Sequence, residues 1–172
     1  MSTPSPPAAQ IYEFEFTKVR TVKIKDNVSS YDAVQLGAVV LYDYNGNPIP
    51  IATAENPGGI MSAAQQASNL IFTTGGNVPG NYVADPDYKW VDSGFGSTQT
   101  STIRLTVLSS HGASVGAYKF HTANDIDRRD PVSWTLRAVF PGFKIVLSRV
   151  QDAEAPRARN SPYQLFSLVQ PP

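Results

Sequence analysis

The residues best suited to chemistry lie in one loop, "TANDIDRRDPV" at positions 122–132. Asn124 and Asp125 can fold their short side chains onto neighbouring backbone amides, and Pro131 biases Asp130 towards an extended backbone. Arg129, beside Asp130, carries a planar set of donors that suits carboxylate or carbonyl oxygens. The loop could therefore bind a ligand, or it could form an ordered corner between two strands.

Another group of residues could contact a sugar. Aromatic rings offer flat apolar faces to sugar C–H groups, while amides and carboxylates bind the hydroxyls. Tyr82 and Tyr88, in "GNYVADPDYKW", fit this role, although they could equally cover the end of a β-sandwich. His121 could meet a sugar hydroxyl, or it could be a solvent-facing histidine at a strand end. The candidate ligand-binding residues are Tyr82, Asp85, Tyr88, Asp92, His121 and Arg128.

The sequence lacks the parts of a catalytic site. His111 and His121 are the only histidines, and no nucleophile elbow, zinc-binding His-Glu-x-x-His helix or phosphate loop accompanies them. The chain has no cysteine, which excludes a disulfide framework, a thiolate metal site and a cysteine nucleophile. We therefore expect a protein that is not an enzyme and needs no catalytic cofactor.

Composition narrows the class of protein further. The 172 residues suit one domain, and 41% hydrophobic against 16% charged residues favours a β-rich chain. The 14 basic and 14 acidic residues cancel, so nucleic acid is not an expected partner. No apolar run approaches the roughly 20 residues of a membrane span. The N-terminus, "MSTPSPPAAQ", does not read as a signal peptide, so we expect a cytoplasmic protein or a component of a particle such as a virion.

Alternating apolar and polar residues predict the strands that position these side chains. In "IYEFEFTKVR", Tyr12, Phe14 and Phe16 share one face, as in a half-buried strand. Asn45-Gly46 predicts a tight turn. The final "YQLFSLV" could pair with an early strand and close a sheet, and "IMSAAQQASNLIF" is the one helical candidate. Further strands are expected in "TVKIK", "AVQLGAVVLYD", "STIRLTV", "AYKFHT", "SWTLRAVF" and "FKIVLSR".

About seven or eight short strands with almost no helix predict an all-β fold, a single jelly-roll β-sandwich with at most one short helix. We expect the sandwich to span residues 11–169. A Pro-rich arm at 1–10 precedes it and a short tail at 170–172 follows it.

Several segments resemble the discoidin-like galactose-binding domain family, which includes coagulation-factor C domains and carbohydrate-binding modules. They are "YEFEFTKVR", "VQLGAVVLYD", "NPGG" at 56–59, "KWVDSG" at 89–94 and "TANDIDRRDPVSWTLR" at 122–137, spread over residues 11–150. The resemblance implies a five-plus-three-stranded sandwich that binds ligands through loops at one end, without catalysis. It also implies a structural motif, in which Trp134 lies in the core and four residues brace a corner: Asn124, Asp125, Arg129 and Asp130.

The same resemblance raises the question of a structural calcium ion. Family members often hold calcium at an Asp-Gly-Asn turn shortly before the Lys-Trp pair. In this chain the stretch around that pair is "NYVADPDYKWVD", which lacks the Asp-Gly-Asn turn. Asp85, Asp87 and Asp92 could supply the oxygen ligands that calcium requires. They could equally be solvated loop carboxylates.

Two functions follow as expectations. The chain could be a non-catalytic module that recognises carbohydrate at a cell or particle surface. Alternatively, it could be a structural component of a large assembly, such as a viral capsid or a cytoskeletal complex. Its Pro-rich ends would then dock on neighbouring subunits, because a proline backbone loses little entropy on binding.

Overall fold

The computed structural model describes residues 11–20, 32–71, 88–107 and 114–169, and it confirms an all-β sandwich. The only α-helix in these ranges is a single turn, α1 (Phe95–Thr98), and short 3-10 helices occur at Ala67–Leu70 and Asp127–Arg129. The strands are β1 (Ile11–Val19), β2 (Val34–Leu36), β3 (Ala38–Asp43), β4 (Pro48–Ile49), β5 (Ile51–Glu55), β6 (Trp90–Asp92), β7 (Ser101–Val107), β8 (Val115–His121), β9 (Pro131–Phe140), β10 (Phe143–Val150) and β11 (Phe166–Ser167).

The strands form two main antiparallel sheets. The larger sheet has the order β10-β9-β1-β7-β5, and the smaller has the order β11-β8-β3-β4. A separate pair, β2 and β6, joins Leu36 to Trp90. The smaller sheet holds four described strands, one more than the family resemblance implies, and its two edges are the short strands β4 and β11.

An aromatic core joins the two sheets. The ring of Phe14 on β1 lies 5.0 Å from Tyr118 and 5.1 Å from Phe120, both on β8. Trp134 on β9 is buried, and its Nε1 donates to the Tyr118 hydroxyl at 2.8 Å. Burying each such ring contributes about 1.5–3 kcal/mol, so this layer holds the sandwich closed.

The last strand pairs with a different neighbour from the one expected. β11 pairs with β8, where Phe166 lies opposite Tyr118, so the expectation of an early partner strand is wrong. The Tyr163 backbone N–H donates to the Phe120 carbonyl at 2.8 Å, and the Phe166 ring stacks on Tyr118 at 5.3 Å. These contacts hold the C-terminal segment against the middle of the smaller sheet.

The helical candidate at 60–72 forms only the 3-10 turn at Ala67–Leu70 within its described part. Backbone hydrogen bonds tie this segment to β6 instead. The Val91 N–H donates to the Gln65 carbonyl at 3.2 Å and the Ser93 N–H to the Ile60 carbonyl at 2.9 Å. Tertiary hydrogen bonding has thus overridden the modest helix propensity of an Ala/Gln-rich sequence.

Several connections gather at one end of the sandwich. Phe16 near the end of β1 lies opposite Ser101 at the start of β7, and Val19 lies opposite Pro131 at the start of β9. The turn after β5, the helix α1 and the connection from β8 to β9 therefore share this end. We call it the loop end, defined by residues 56–60, 93–100 and 122–130.

The helices in the described ranges are all too short to span a lipid bilayer.

Candidate functional site at the loop end

The connection at 122–130 is held from within by a buried carboxylate. Asp130 is 0% exposed and accepts two hydrogen bonds from Arg159, at 2.9 and 2.6 Å. Arg20, at the end of β1, donates a third at 3.3 Å. Burial raises the pKa of Asp130, and the hydrogen bonds from the two arginines act in the opposite direction. Both carboxylate oxygens are therefore used inside the protein.

The two arginines of the connection share a carboxylate that lies outside it. Arg129 donates to both oxygens of Asp32, with the closest contact at 2.7 Å, and Arg128 donates to Oδ2 at 3.1 Å. The hydrogen bond from Arg129 is the main reason that the pKa of Asp32 is lowered to about 2. Arg129 is thus part of the corner, whereas the Arg128 side chain is 40% exposed at its rim.

The beginning of the connection is braced in the same way. Lys89 Nζ donates to Asp125 Oδ1 at 2.6 Å, and the Asp125 carbonyl accepts from Gln35 Nε2 at 2.6 Å. The Oδ1 of Asn124 is buried without a hydrogen-bond partner in the described chain. The bracing residues that sequence reasoning missed are Arg20, Asp32, Lys89 and Arg159. Lys89 and Arg20 lie in the quoted segments "KWVDSG" and "YEFEFTKVR", but nothing local to any of the four residues indicates a contact with the corner, because they come from distant parts of the chain.

His121 is buried, so the expectation of a solvent-facing histidine at a strand end is wrong. Its exposed fraction is 4%, and burial, with the nearby charge of Lys119, lowers its pKa to about 4. The C-terminal segment covers His121. His121 forms an isolated antiparallel β-bridge with Pro162, and the Thr122 N–H donates to the Ser161 carbonyl at 2.9 Å. His121 is therefore neutral at pH 7.

A shallow cleft of about 210 Å³ opens elsewhere at the loop end. One wall is the turn at 57–60, and the other is formed by α1 and the start of β7. Hydroxyl side chains dominate the second wall: Ser97, Thr98, Thr100, Ser101 and Thr102. The cleft is smaller than the roughly 300–1,000 Å³ typical of sites for drug-sized ligands, so it suits a single small ring.

Asp92 holds the two walls of the cleft together. Its Oδ1 accepts the backbone N–H of Ile60 at 2.9 Å and that of Gly94 at 2.8 Å. Its Oδ2 accepts the Ser101 hydroxyl at 2.5 Å. A carboxylate with three donors at a buried site is well satisfied, so Asp92 acts as the brace of the cleft floor.

Asn56 continues this buried network and was missed as a functional residue, although the "NPGG" segment contains it. Its Nδ2 donates to Ser101 Oγ at 3.1 Å, and its Oδ1 accepts from Trp90 Nε1 at 3.2 Å. A Cβ atom on Gly59 would lie 1.8 Å from Asn56 Oδ1, so the turn requires glycine there. The shape of the cleft is thus fixed by its buried polar groups.

The candidate residues that the structure describes do not form one site. Asp92 lines the cleft, whereas Arg128 lies at the corner and His121 is covered by the C-terminal segment. Tyr88 is 57% exposed and does not line the cleft. The other candidates lie outside the described residues: Tyr82, Asp85 and Asp87.

The calcium site stays a prediction. Among the described residues, no three His, Cys, Asp or Glu side chains are grouped so that they could hold a metal ion. Two of the proposed ligands, Asp85 and Asp87, lie outside those residues. The third, Asp92, already accepts three hydrogen bonds.

Comparisons of the chain with protein-family models, with curated proteins and with solved structures found no match. The resemblance to the discoidin-like family therefore stays a hypothesis based on sequence segments. What the loop end can bind is inferred from its geometry.

Proposed function

We propose that this chain is a non-catalytic recognition module that binds a neutral sugar in the loop-end cleft. The observation that carries the proposal is the lining of the cleft. It offers backbone and the hydroxyl residues Ser97, Thr100 and Thr102. The hydroxyls of Thr98 and Ser101 are already bonded within the protein, and its one carboxylate, Asp92, is already bonded to three donors. Hydroxyls and backbone amides pair well with sugar hydroxyls, and Ile60, 63% exposed at the rim, offers an apolar surface to sugar C–H groups.

The corner at 122–130 is a poorer candidate for the same role. A ligand there would have to displace internal hydrogen bonds, because Asp130 and Arg129 are already paired with Arg159 and Asp32. Breaking charge-assisted hydrogen bonds of this kind costs more than a surface contact with a sugar returns. The resemblance to a family that binds ligands through its loops is a second support for a site at this end.

Calorimetric titration of the full chain with galactose and other monosaccharides tests the proposal. Ser97 is exposed on the cleft wall, so Ser97→Trp should fill the cleft and weaken binding at least tenfold. Arg128→Ala, at the corner, is the matched control and should leave the affinity within twofold of the wild type. Absence of binding at millimolar sugar would reject sugar recognition and favour a structural role.

A structural component of a large assembly is the second candidate, and one observation favours it. Three large apolar side chains on β10 are exposed, namely Phe143, Ile145 and Val146.

Removal of residues 1–10, the proposed docking arm, should release the chain from a sedimenting complex and leave its melting temperature unchanged. Unaltered sedimentation would reject docking by the arm.

A further inference from the structure

Strand β10 is an edge strand with exposed apolar side chains. It pairs with β9 on one side, and no described strand pairs with its other side. Phe143, Ile145 and Val146 are 56%, 47% and 40% exposed. The opposite edge of the same sheet, β5, has the sequence IATAE and no exposed large apolar side chain. Each edge strand has one register shift, between Ile51 and Thr53 on β5 and between Val146 and Ser148 on β10. The two edges of one sheet are thus built differently.

The two faces of β10 differ in chemistry. Phe143 and Ile145 lie opposite Phe140 and Ala138, which places them on the inner, apolar face of the sheet. The Phe143 ring stacks on Phe140 with centroids 4.9 Å apart. Three other side chains lie on the outer face, across from outward residues of β9: Lys144, Val146 and Arg149. A strand added to this edge would therefore meet apolar groups on one face and cations on the other.

Charges alternate across the outer face of the sheet. One row runs from Glu55 to Arg104, Glu13 and Arg137, each residue lying opposite the next, and it ends at Val146 on β10. Arg104 and Lys144 both contact Glu13, at 2.6 and 2.7 Å. Burial acts to raise the pKa of Glu13, but the hydrogen bonds from Lys144 and Arg104 outweigh it and lower the pKa. Acidic β1 thus lies between strands that carry arginine.

The alternation stops at β10. The side chains of Lys144 and Arg149 are basic, like that of Arg137 on the neighbouring strand, and β10 has no acidic residue. Arg149 forms no ion pair with any residue in the described ranges. Lys144 is already paired with Glu13, so an acidic strand beyond β10 would continue the pattern chiefly by compensating the charge of Arg149.

We propose that the edge of β10 that no described strand pairs with binds an extended segment of a partner protein in which apolar residues alternate with acidic ones. Its backbone would hydrogen-bond to β10, its apolar side chains would pack on Phe143 and Ile145, and its carboxylates would lie beside Lys144 and Arg149. This inference rests on the second candidate function, for which it names the chemistry of the partner. It does not depend on sugar binding in the cleft.

A second copy of this chain is a poorer occupant of the edge. Full overlap of two antiparallel β10 strands would place Lys144 of one copy opposite Arg149 of the other. Like charges directly opposite one another destabilise strand pairing. The charge pattern therefore favours a different, acidic segment.

Fluorescence anisotropy with a labelled peptide tests the proposal on the full chain. The peptide IYEFEFT, the sequence of residues 11–17, has the required alternation, and IYKFKFT reverses its charges. We expect the acidic peptide to bind at least tenfold more tightly than the basic one. Arg149→Glu should weaken the acidic peptide three- to fivefold and strengthen the basic peptide, because it reverses one charge pair at a solvent-exposed position.

Ile145→Lys and Thr53→Lys form the matched pair of variants. Ile145→Lys should weaken the acidic peptide at least tenfold, whereas Thr53→Lys on the opposite edge should have no effect. Equal binding of the two peptides, no binding at millimolar peptide, or equal losses in both variants would overturn the proposal. So would a wild-type dimer in sedimentation velocity that dissociates in Ile145→Lys. The arm-deletion test of the second candidate function stays separate from each of these results.

Discussion

Replacing Asp130 by asparagine should destabilise the fold far more than any change at the rim of the corner. The variant keeps the size of the side chain but removes the negative charge that Arg159 and Arg20 share. Removing one partner of a buried ion pair costs about 3–5 kcal/mol. The side chains of Arg159 and Arg20 are 21% and 15% exposed, and both keep backbone carbonyl partners. We therefore expect the lower end of the range, about 3 kcal/mol.

Urea unfolding and calorimetry at pH 7 measure this cost directly. A protein of this size loses roughly 2–4 °C of melting temperature for each kcal/mol, so Asp130→Asn should melt about 6–12 °C below the wild type. Arg128→Ala is the control, because Arg128 is an exposed partner of Asp32 and its loss should cost about 1 kcal/mol or less. If Asp130→Asn lies within about 1 kcal/mol of the wild type, the corner is not held by this carboxylate and the structural interpretation of the 122–130 connection is refuted.

Three further predictions concern pH and the cleft. Burial lowers the pKa of His121 to about 4, so the unfolded chain binds a proton at a higher pH than the folded chain does. The free energy of unfolding should therefore fall by about 3 kcal/mol as the pH falls from 6.5 to 4. The urea midpoint of His121→Gln should not show this pH dependence. The lowered pKa of Asp32 acts at lower pH: its contribution is present above about pH 4 and is lost as the pH falls towards 2. Because the side chain is 38% exposed, we expect about 1 kcal/mol, which should be absent in Asp32→Asn. Gly59→Ala should cost about 2 kcal/mol in thermal unfolding, since its Cβ would displace Asn56, whereas Ser97→Ala on the open wall should be neutral.

The sequence was most informative where the pattern is local. Alternation in β1 located Tyr12, Phe14 and Phe16 in the core, because a strand has a period of two and one face of this sheet is buried. The turn at Asn45-Gly46 joins β3 to β4, and Gly46 has a φ of +84°, which glycine adopts without strain.

The sequence was least informative where a side chain's partner is distant. The Asp130–Arg159 pair joins residues 29 positions apart, and the Asp32–Arg129 pair joins residues 97 positions apart. Nothing local to Arg159 or Asp32 indicates these contacts. The burial of His121 likewise depends on the C-terminal segment folding back over β8.

The cleft shows the same division. The "NPGG" and "KWVDSG" segments stood out in the sequence, but only the fold brings Ile60 within 2.9 Å of Asp92. The hydroxyl-rich stretch at 97–102 has no pattern that predicts a binding surface. Its role follows from the position of α1 beside the turn at 57–60.

Titration of the isotope-labelled full chain with galactose, followed by two-dimensional amide NMR, tests the central claim most directly. A site in the loop-end cleft predicts shift changes confined to residues 57–60 and 94–102, with the corner at 122–130 unaffected. Changes centred on the corner, or none at millimolar sugar, would contradict it.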